Sequence, residues 1–354
     1  MTRIVYNSFH GRYSDNPRAI FERLVDRPGL NHVWLAHREH RAGFSGSAAT
    51  VDIDSPQAQL ALESADLVIA NTHTEVEWDK PGTTTYVQTW HGTPLKRIHR
   101  DVLFAPPGRL DRLDRDIEKW DLLLSPNETS TPRLRKAFGF DAEVLESGYP
   151  RNDLLSSPRA ADVRERVREE LGLPRDATTV LYAPTWRDTE IFTEEPSEVP
   201  LALDTASFAA ALGDAHVVLV RTHSMTDGRS RVADTEHVRD VSSYPDVRDL
   251  YLAADVLVTD YSSAMFDFAI TGRPMVFYAY DLDQFRDSIR GFYFDLESVA
   301  PGPIVRTPEQ LVDVVRGLDF VAGEHAGRYA EFRRAFTGLE DGHATDRVLA
   351  LLGL

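Results

Sequence analysis

Two α/β layers, each a parallel sheet with helices between its strands and a cleft between the two, are what this sequence predicts. Three observations lead there. Short apolar, β-branched runs alternate with longer helical patterns in two successive blocks. The length, 354 residues, is more than one ordinary core organises and suits two domains. Several of the apolar runs stop at polar or Gly/Pro-rich punctuation, and the carboxyl ends of strands are where ligands bind in open α/β sheets.

Taken in order, Ile4-Val5-Tyr6 reads as the first strand. A helix follows from Asn16 to Leu24, with Asp15 and Asn16 as caps and Pro17 in the first turn, where a missing N–H costs nothing. His32-Val33-Trp34-Leu35, Leu67-Val68-Ile69-Ala70, Tyr86-Val87-Gln88 and Leu122-Leu123-Leu124 continue the first block. After Gly148-Tyr149-Pro150 the theme repeats, with strands at Val180-Leu181-Tyr182, Val217-Val218-Leu219-Val220, Val256-Leu257-Val258-Thr259 and Met275-Val276-Phe277-Tyr278. Helices are expected from Ala160 to Leu171 and from Pro308 to Leu318, and the boundary between blocks near Arg151 to Arg159. Thr189 to Pro200, acidic and Pro-containing, reads as a mobile loop.

Composition narrows the class. Hydrophobic content of 42% with 27% charge is that of a soluble globular chain. Cys is absent, which rules out disulfides, thiolate metal sites and a thiol nucleophile. No basic-then-apolar leader precedes the first strand and no run reaches membrane-spanning length, so the expected place of action is cytoplasmic or at the cytoplasmic face of a membrane. A formal charge of −17 argues against nucleic acid as a partner. The distribution is uneven: from His91 to Lys136 ten cations face seven acids, a local net of +3. Within it, Leu110, Leu113, Ile117 and Trp120 recur at helical spacing among Arg109, Arg112, Arg115 and Lys119. Such a stripe either packs on its own domain or rests weakly on an anionic membrane surface.

The chemistry centres on Trp90-His91-Gly92-Thr93-Pro94-Leu95-Lys96. A β-rich run delivers a histidine into a Gly/Pro turn that no strand continues through, and an imidazole there can take a proton near neutral pH. In the second block, Val256–Thr259 runs into Asp260-Tyr261-Ser262-Ser263 and a helix-like segment. Asp260 or Ser262 can cap that helix, its first N–H groups can cradle phosphate, and Asp267 can accept from ribose hydroxyls. Arg221-Thr222-His223 puts a guanidinium and an imidazole at another strand end, both phosphate binders. Ala183-Pro184-Thr185-Trp186-Arg187 offers an indole and a guanidinium for a base or a phosphate. His10 and Ser14-Asp15-Asn16-Pro17, just past the first strand, can face the cleft. There is no dinucleotide fingerprint and no phosphate-binding loop ending in Gly-Lys-Ser/Thr. His37 and His40 lack a third ligand at zinc spacing, and no acidic metal cage is apparent, so no cofactor and no divalent cation is indicated.

These pieces resemble the CDP-glycerol glycerophosphotransferase family, the teichoic-acid polymerases and primases. The matching segments are Ser8-Phe9-His10-Gly11-Arg12-Tyr13-Ser14-Asp15-Asn16-Pro17, Trp90 to Lys96, Gly148-Tyr149-Pro150-Arg151-Asn152-Asp153, Ala183 to Arg187, Asp260 to Ser263 and Arg290-Gly291-Phe292-Tyr293, in family order over positions 8 to 295. The resemblance implies a GT-B fold of two Rossmann-like domains: 1–150, binding the acceptor and carrying the base, and 151–354, binding the CDP-linked donor, with the last helix able to return to the first domain. It implies transfer of glycerol phosphate from CDP-glycerol to an undecaprenyl-diphosphate-linked acceptor, at the inner face of the membrane, with release of CMP. His91 would be the base, and His223, Ser262 and Ser263, with Arg221, the diphosphate binders. Tyr149, Pro184, Thr185, Trp186, Arg187, Asp260 and Asp267 fall to the donor's nucleotide; His10, Ser14, Asp15, Lys96 and Arg97 fall to the acceptor. Longer members carry an additional N-terminal region, so polymerase activity and strong membrane attachment are expected less of this sequence than the basic transfer. Transfer from CDP-ribitol, a GT-B glycosyltransferase acting on a nucleotide sugar, and a non-catalytic binding module stand as the alternatives.

Overall fold

The computed structural model describes residues 1–185, 201–222, 232, 234–286 and 291–354. The expected mobile loop at 189–200, and Trp186, Arg187, His223 and Arg290, lie outside them. The chain forms two compact units: Met1–Pro94 with Ile98–Leu154 and Gly338–Leu354, and Leu155–Thr337 with Leu95–Arg97.

The first unit is built on seven parallel strands: β1 Thr2–Asn7, β2 Leu30–Ala36, β3 Thr50–Asp52, β4 Leu67–Ala70, β5 Thr85–Gln88, β6 Leu122–Ser125 and β7 Glu143–Glu146. Their order, β3-β2-β1-β4-β5-β6-β7, reverses direction between β1 and β4. Both faces are covered, as parallel sheets require, and the period of two along a strand sorts the side chains. Val5 of β1 belongs to one core with Val33, Val68, Tyr86, Leu123 and Phe138. Its neighbours Ile4 and Tyr6 belong to the other, with Trp34, Ile69, Ile20, Phe21 and Leu24. The helix Asp15–Leu24 supplies the last three of these; its N-cap is Ser14, just ahead of the residues read as caps. The closing helix Ala344–Leu351 seats Val348 and Leu349 on the same face.

The second unit has, among its described residues, six parallel strands: β8 Thr178–Tyr182, β9 His216–Val220, β10 Val238–Asp240, β11 Val256–Thr259, β12 Met275–Tyr278 and β13 Ile304–Val305. The order is β10-β9-β8-β11-β12-β13, reversing between β8 and β11. Val180, Tyr182, Val218, Val220, Val256 and Val258 form one face, covered by Phe208 and Leu212 of helix Thr205–Leu212 and by Leu311 and Val315 of helix Pro308–Arg316. A fully buried aliphatic or aromatic side chain contributes roughly 1.5–3 kcal/mol, so each of these layers is a substantial source of stability.

One short piece departs from chain order. Leu95–Arg97 lies with the second unit, where Arg97 N–H donates to the Gly291 carbonyl (3.2 Å) and Tyr293 N–H to the Leu95 carbonyl (2.9 Å).

Candidate functional site

In the first unit the loops after β1, β4 and β5 meet at the reversal point of the sheet, the position where open α/β sheets bind ligands. His91 follows β5. Its Nδ1 lies 2.6 Å from the Asn71 carbonyl oxygen, just past β4. A carbonyl can only accept, so Nδ1 carries the proton and Nε2 keeps its lone pair. The ring lies against Trp90 (centroids 4.2 Å) and Phe9 (5.2 Å). Burial holds its pKa below the ordinary histidine value; the Asn71 carbonyl and Asp15 oppose that shift in part, while Arg151 and His73 add to it.

The backbone here is unusual. Phe9 (φ 38°), His10 (57°), Asp15 (61°) and Trp90 (52°) all occupy the left-handed region that side chains avoid. Each such residue costs on the order of 1–3 kcal/mol and persists only where its surroundings over-determine it. They are over-determined. Phe9 N–H donates to Asn71 Oδ1 (3.1 Å). Gly11 packs so tightly that a Cβ on it would lie 2.2 Å from the His37 nitrogen. Asp15 pairs with Arg151 at 3.2 Å, both side chains nearly buried. The Trp90 backbone is held on both sides of its Cα, its N–H by Gln88 and its C=O by Asn16.

Around this turn stand the residues expected at the acceptor. His10 is exposed, stacked on His37 (5.4 Å) and 3.9 Å from Glu75, whose carboxyl is held below its usual range chiefly by a hydrogen bond from His73. Ser14 shares a hydrogen bond with Ser8 (3.0 Å), and Asp15 is taken up by Arg151. Lys96 and Arg97 belong to the second unit, where the Lys96 ammonium lies 6.0 Å from the Phe285 ring centre. Asn7, Asn71 and Gln88 were not singled out from sequence as site residues, and Asn16 and Arg151 only within the Ser14–Pro17 and Gly148–Asp153 segments, yet they build the turn. The end of the apolar stripe resolves as core. Ile117 and Trp120 are buried with Leu113 packed against them, and Arg112 and Arg115 pair with Glu75 and Glu77.

In the second unit, β9, β8 and β11 are adjacent and parallel, so the segments expected at the donor emerge side by side. Asp260 is buried and ties two of them, its Oδ1 accepting from Thr185 N–H (2.8 Å) and Tyr261 N–H (2.6 Å). The Thr259 hydroxyl donates to the Ala183 carbonyl (2.7 Å), which fixes Pro184 beside them. Ser262 Oγ accepts from Ala264 N–H (3.2 Å), and Ser263 is the N-cap of a helix of five residues, Ala264–Phe268. Asp267 is buried within it. Arg221 donates through one nitrogen to the carbonyls of Val241 (3.2 Å) and Tyr244 (2.8 Å), bracing the loop after β10.

Tyr149 departs from its expected role. It is fully buried in the first unit, its N–H on Glu340 (3.1 Å) and its ring under the Arg151 guanidinium (4.5 Å), with no surface left for a nucleotide. Among the described residues, no three His, Cys, Asp or Glu side chains are grouped to hold a metal ion.

Two Rossmann-type parallel sheets, with polar and titratable groups at the carboxyl ends of the strands flanking each reversal point, define a GT-B-like fold with a candidate ligand site in each unit. The particular family follows from comparison. Residues 1–353 match the CDP-glycerol:poly(glycerophosphate) glycerophosphotransferase family, and the chain belongs to it. The teichoic acid glycerol-phosphate transferase of Staphylococcus aureus is 39% identical over 98% of this chain and 91% of its own length. The teichoic acid poly(glycerol phosphate) polymerase of Bacillus subtilis is 35% identical over 98% of this chain, which spans 48% of that protein. A variant of the wall teichoic acid polymerase TagF soaked with CDPG superposes with a TM-score of 0.90 at 35% identity, covering 99% of this chain and 88% of that one.

Proposed function

We propose that this enzyme transfers glycerol phosphate from CDP-glycerol to a hydroxyl of a lipid-linked (poly)glycerol-phosphate or disaccharide acceptor in teichoic acid or related cell-surface polymer synthesis, working at the inner face of the membrane. The observation that carries this reading is the state of His91: with Nδ1–H given to Asn71, Nε2 is free to act as base. As the acceptor oxygen attacks the β-phosphorus, Nε2 takes its proton, the bridging P–O bond breaks and CMP leaves with those electrons. General-base help of this kind is worth about 10²–10⁴-fold, the remainder coming from positioning and charge stabilisation.

On this reading His223, Ser262 and Ser263 hold the donor diphosphate, with the Arg221 charge beside them, and Pro184, Thr185, Trp186, Arg187, Asp260 and Asp267 frame the nucleotide. His10, Ser14 and Asp15 serve the acceptor. The test is CMP release from CDP-glycerol with a lipid-linked glycerol-phosphate acceptor. His91→Ala is expected to lose roughly 10²-fold or more in turnover while donor affinity stays within a few-fold. Normal turnover in that variant removes His91 from the mechanism. Calorimetry of the wild type against CDP-glycerol, CDP-ribitol, UDP-glucose and CMP separates the donor classes, and tight binding of UDP-glucose in preference to CDP-glycerol would favour sugar transfer.

A further inference from the structure

Two buried side-chain amides grip the N–H and the C=O of Trp90, the residue that aims His91. Gln88, the last residue of β5, donates through Nε2 to the Thr72 carbonyl (3.1 Å) and accepts at Oε1 from Trp90 N–H (3.0 Å). Asn16, in helix Asp15–Leu24, donates through Nδ2 to the Trp90 carbonyl (3.0 Å) and accepts at Oδ1 from Arg151 N–H (3.0 Å). The Thr89 hydroxyl adds a second donor to the Trp90 carbonyl (3.0 Å). Neither amide has any exposed surface. Trp90 N–H and C=O are thus each tied to a different segment, and the left-handed φ of Trp90 is what these ties enforce.

Gln88 does a second thing. Thr72 is the residue after Asn71, so one side chain joins the turn that bears the imidazole to the loop that bears its orienting carbonyl. Released from the two amides, Trp90 would relax toward negative φ and carry the next residue away from Asn71. Both positions call for an amide: one end must donate to a carbonyl and the other must accept from an N–H. A carboxylate can only accept.

We propose that Gln88 and Asn16 are positioning residues that hold His91 in its Nδ1–H tautomer and in its catalytic direction; this rests on the reading of His91 as the base. The near-isosteric variants Gln88→Glu and Asn16→Asp give a distinctive signature. Ionised, each sets a carboxylate against a carbonyl; protonated, each regains a donor and restores both bonds. A buried carboxyl facing a carbonyl has a raised pKa, so the recovery falls within an accessible range. At pH 8 turnover should drop roughly tenfold to hundredfold, and the ratio to wild type should climb as pH is lowered toward 6. Affinity for CMP by calorimetry should stay within twofold.

The second readout is independent of activity. With ¹⁵N-labelled histidine, the His91 signals, identified by their loss in His91→Gln, should show a fixed Nδ1–H tautomer in the wild type. Gln88→Met and Asn16→Ala, which remove the donors without adding charge, should show exchange between tautomers. Should Gln88→Glu fail to fold, Gln88→Met carries the kinetic test as well. Wild-type turnover in these variants, or an unchanged His91 tautomer, would overturn the proposal. A wild type with a fixed tautomer that releases no CMP would instead overturn the functional reading and leave the positioning role standing.

Discussion

A histidine backed by a carbonyl behaves differently from one backed by a carboxylate: the carbonyl fixes the tautomer but adds little stabilisation to the imidazolium. In His91, burial dominates and the pKa lies below the usual value of about 6.5. The sign follows directly. A base must be unprotonated, and a lowered pKa keeps it so to lower pH. The acid limb of kcat/KM for CMP release should therefore have its midpoint below 6.5, and should vanish in the residual activity of His91→Ala. A midpoint above 6.5 would point to another group. His91 was singled out in the sequence because a β-rich run delivers it into a Gly/Pro turn, in company with polar residues at the ends of other strands. Gln88 and Asn71 were not, and Asn16 only as a helix cap and a member of the turn after the first strand. They act through backbone groups, Asn16 on a peptide 74 residues away, and an amide carries no chemical signal until the fold supplies its partners. Tyr149 misled for the converse reason: it sits in a Gly/Pro-rich turn of the kind that carries ligands, while its neighbours Glu340 and Arg151 close over it.

At the scale of elements, the central strands were legible because their apolar runs are continuous, as burial on both faces demands. The edge strands β3, β7, β10 and β13 were missed; Thr50–Asp52 and Glu143–Glu146 are short and only partly buried, and Ile304–Val305 is two residues long, so no periodicity betrays them. Loops are held by the same means as the site. Asp116, at the end of helix Asp111–Ile117 and 3% exposed, accepts four hydrogen bonds. They come from Thr74 N–H (3.1 Å) and hydroxyl (2.8 Å), the Tyr86 hydroxyl (2.9 Å) and the Trp120 indole N–H (2.8 Å). This carboxylate pins the loop after β4, the one that presents the Asn71 carbonyl, to β5 and to the helix. Asp116→Ala leaves those buried donors without their acceptor. Bonds to a charged group are worth about 1.5–3 kcal/mol each and are not additive, so a loss of roughly 3 kcal/mol or more is expected in denaturant unfolding. A midpoint equal to wild type would mean water replaces the carboxylate without cost.

Over the whole molecule the charge of −17 opposes an anionic membrane, and no helix among the described residues is long and apolar enough to cross one. On the proposed function, a lipid-linked acceptor is met at a bilayer. On that reading the surface suited to it is the loop over 102–110, ahead of the stripe's buried residues Ile117 and Trp120. Leu103 is 51% exposed and Phe104 81%, followed by Ala105-Pro106-Pro107, in a tip with no carboxylate between Asp101 and Asp111. Its base is stapled: His99 and Arg100 share Asp114 (3.0 and 2.6 Å), and Lys136 pairs with Asp101 (3.0 Å). Inserting the Phe104 ring into a headgroup layer would contribute about 1.5–3 kcal/mol, and each nearby cation about 1 kcal/mol at low salt. Co-sedimentation with phosphatidylglycerol vesicles should therefore show weak, salt-sensitive binding of the wild type. Phe104→Ser should reduce it roughly tenfold, and Arg109→Glu several-fold at low salt but little at high salt. Pelleting of Phe104→Ser equal to that of the wild type would mean the loop does not touch lipid, and pelleting insensitive to salt would mean the cations do not contribute.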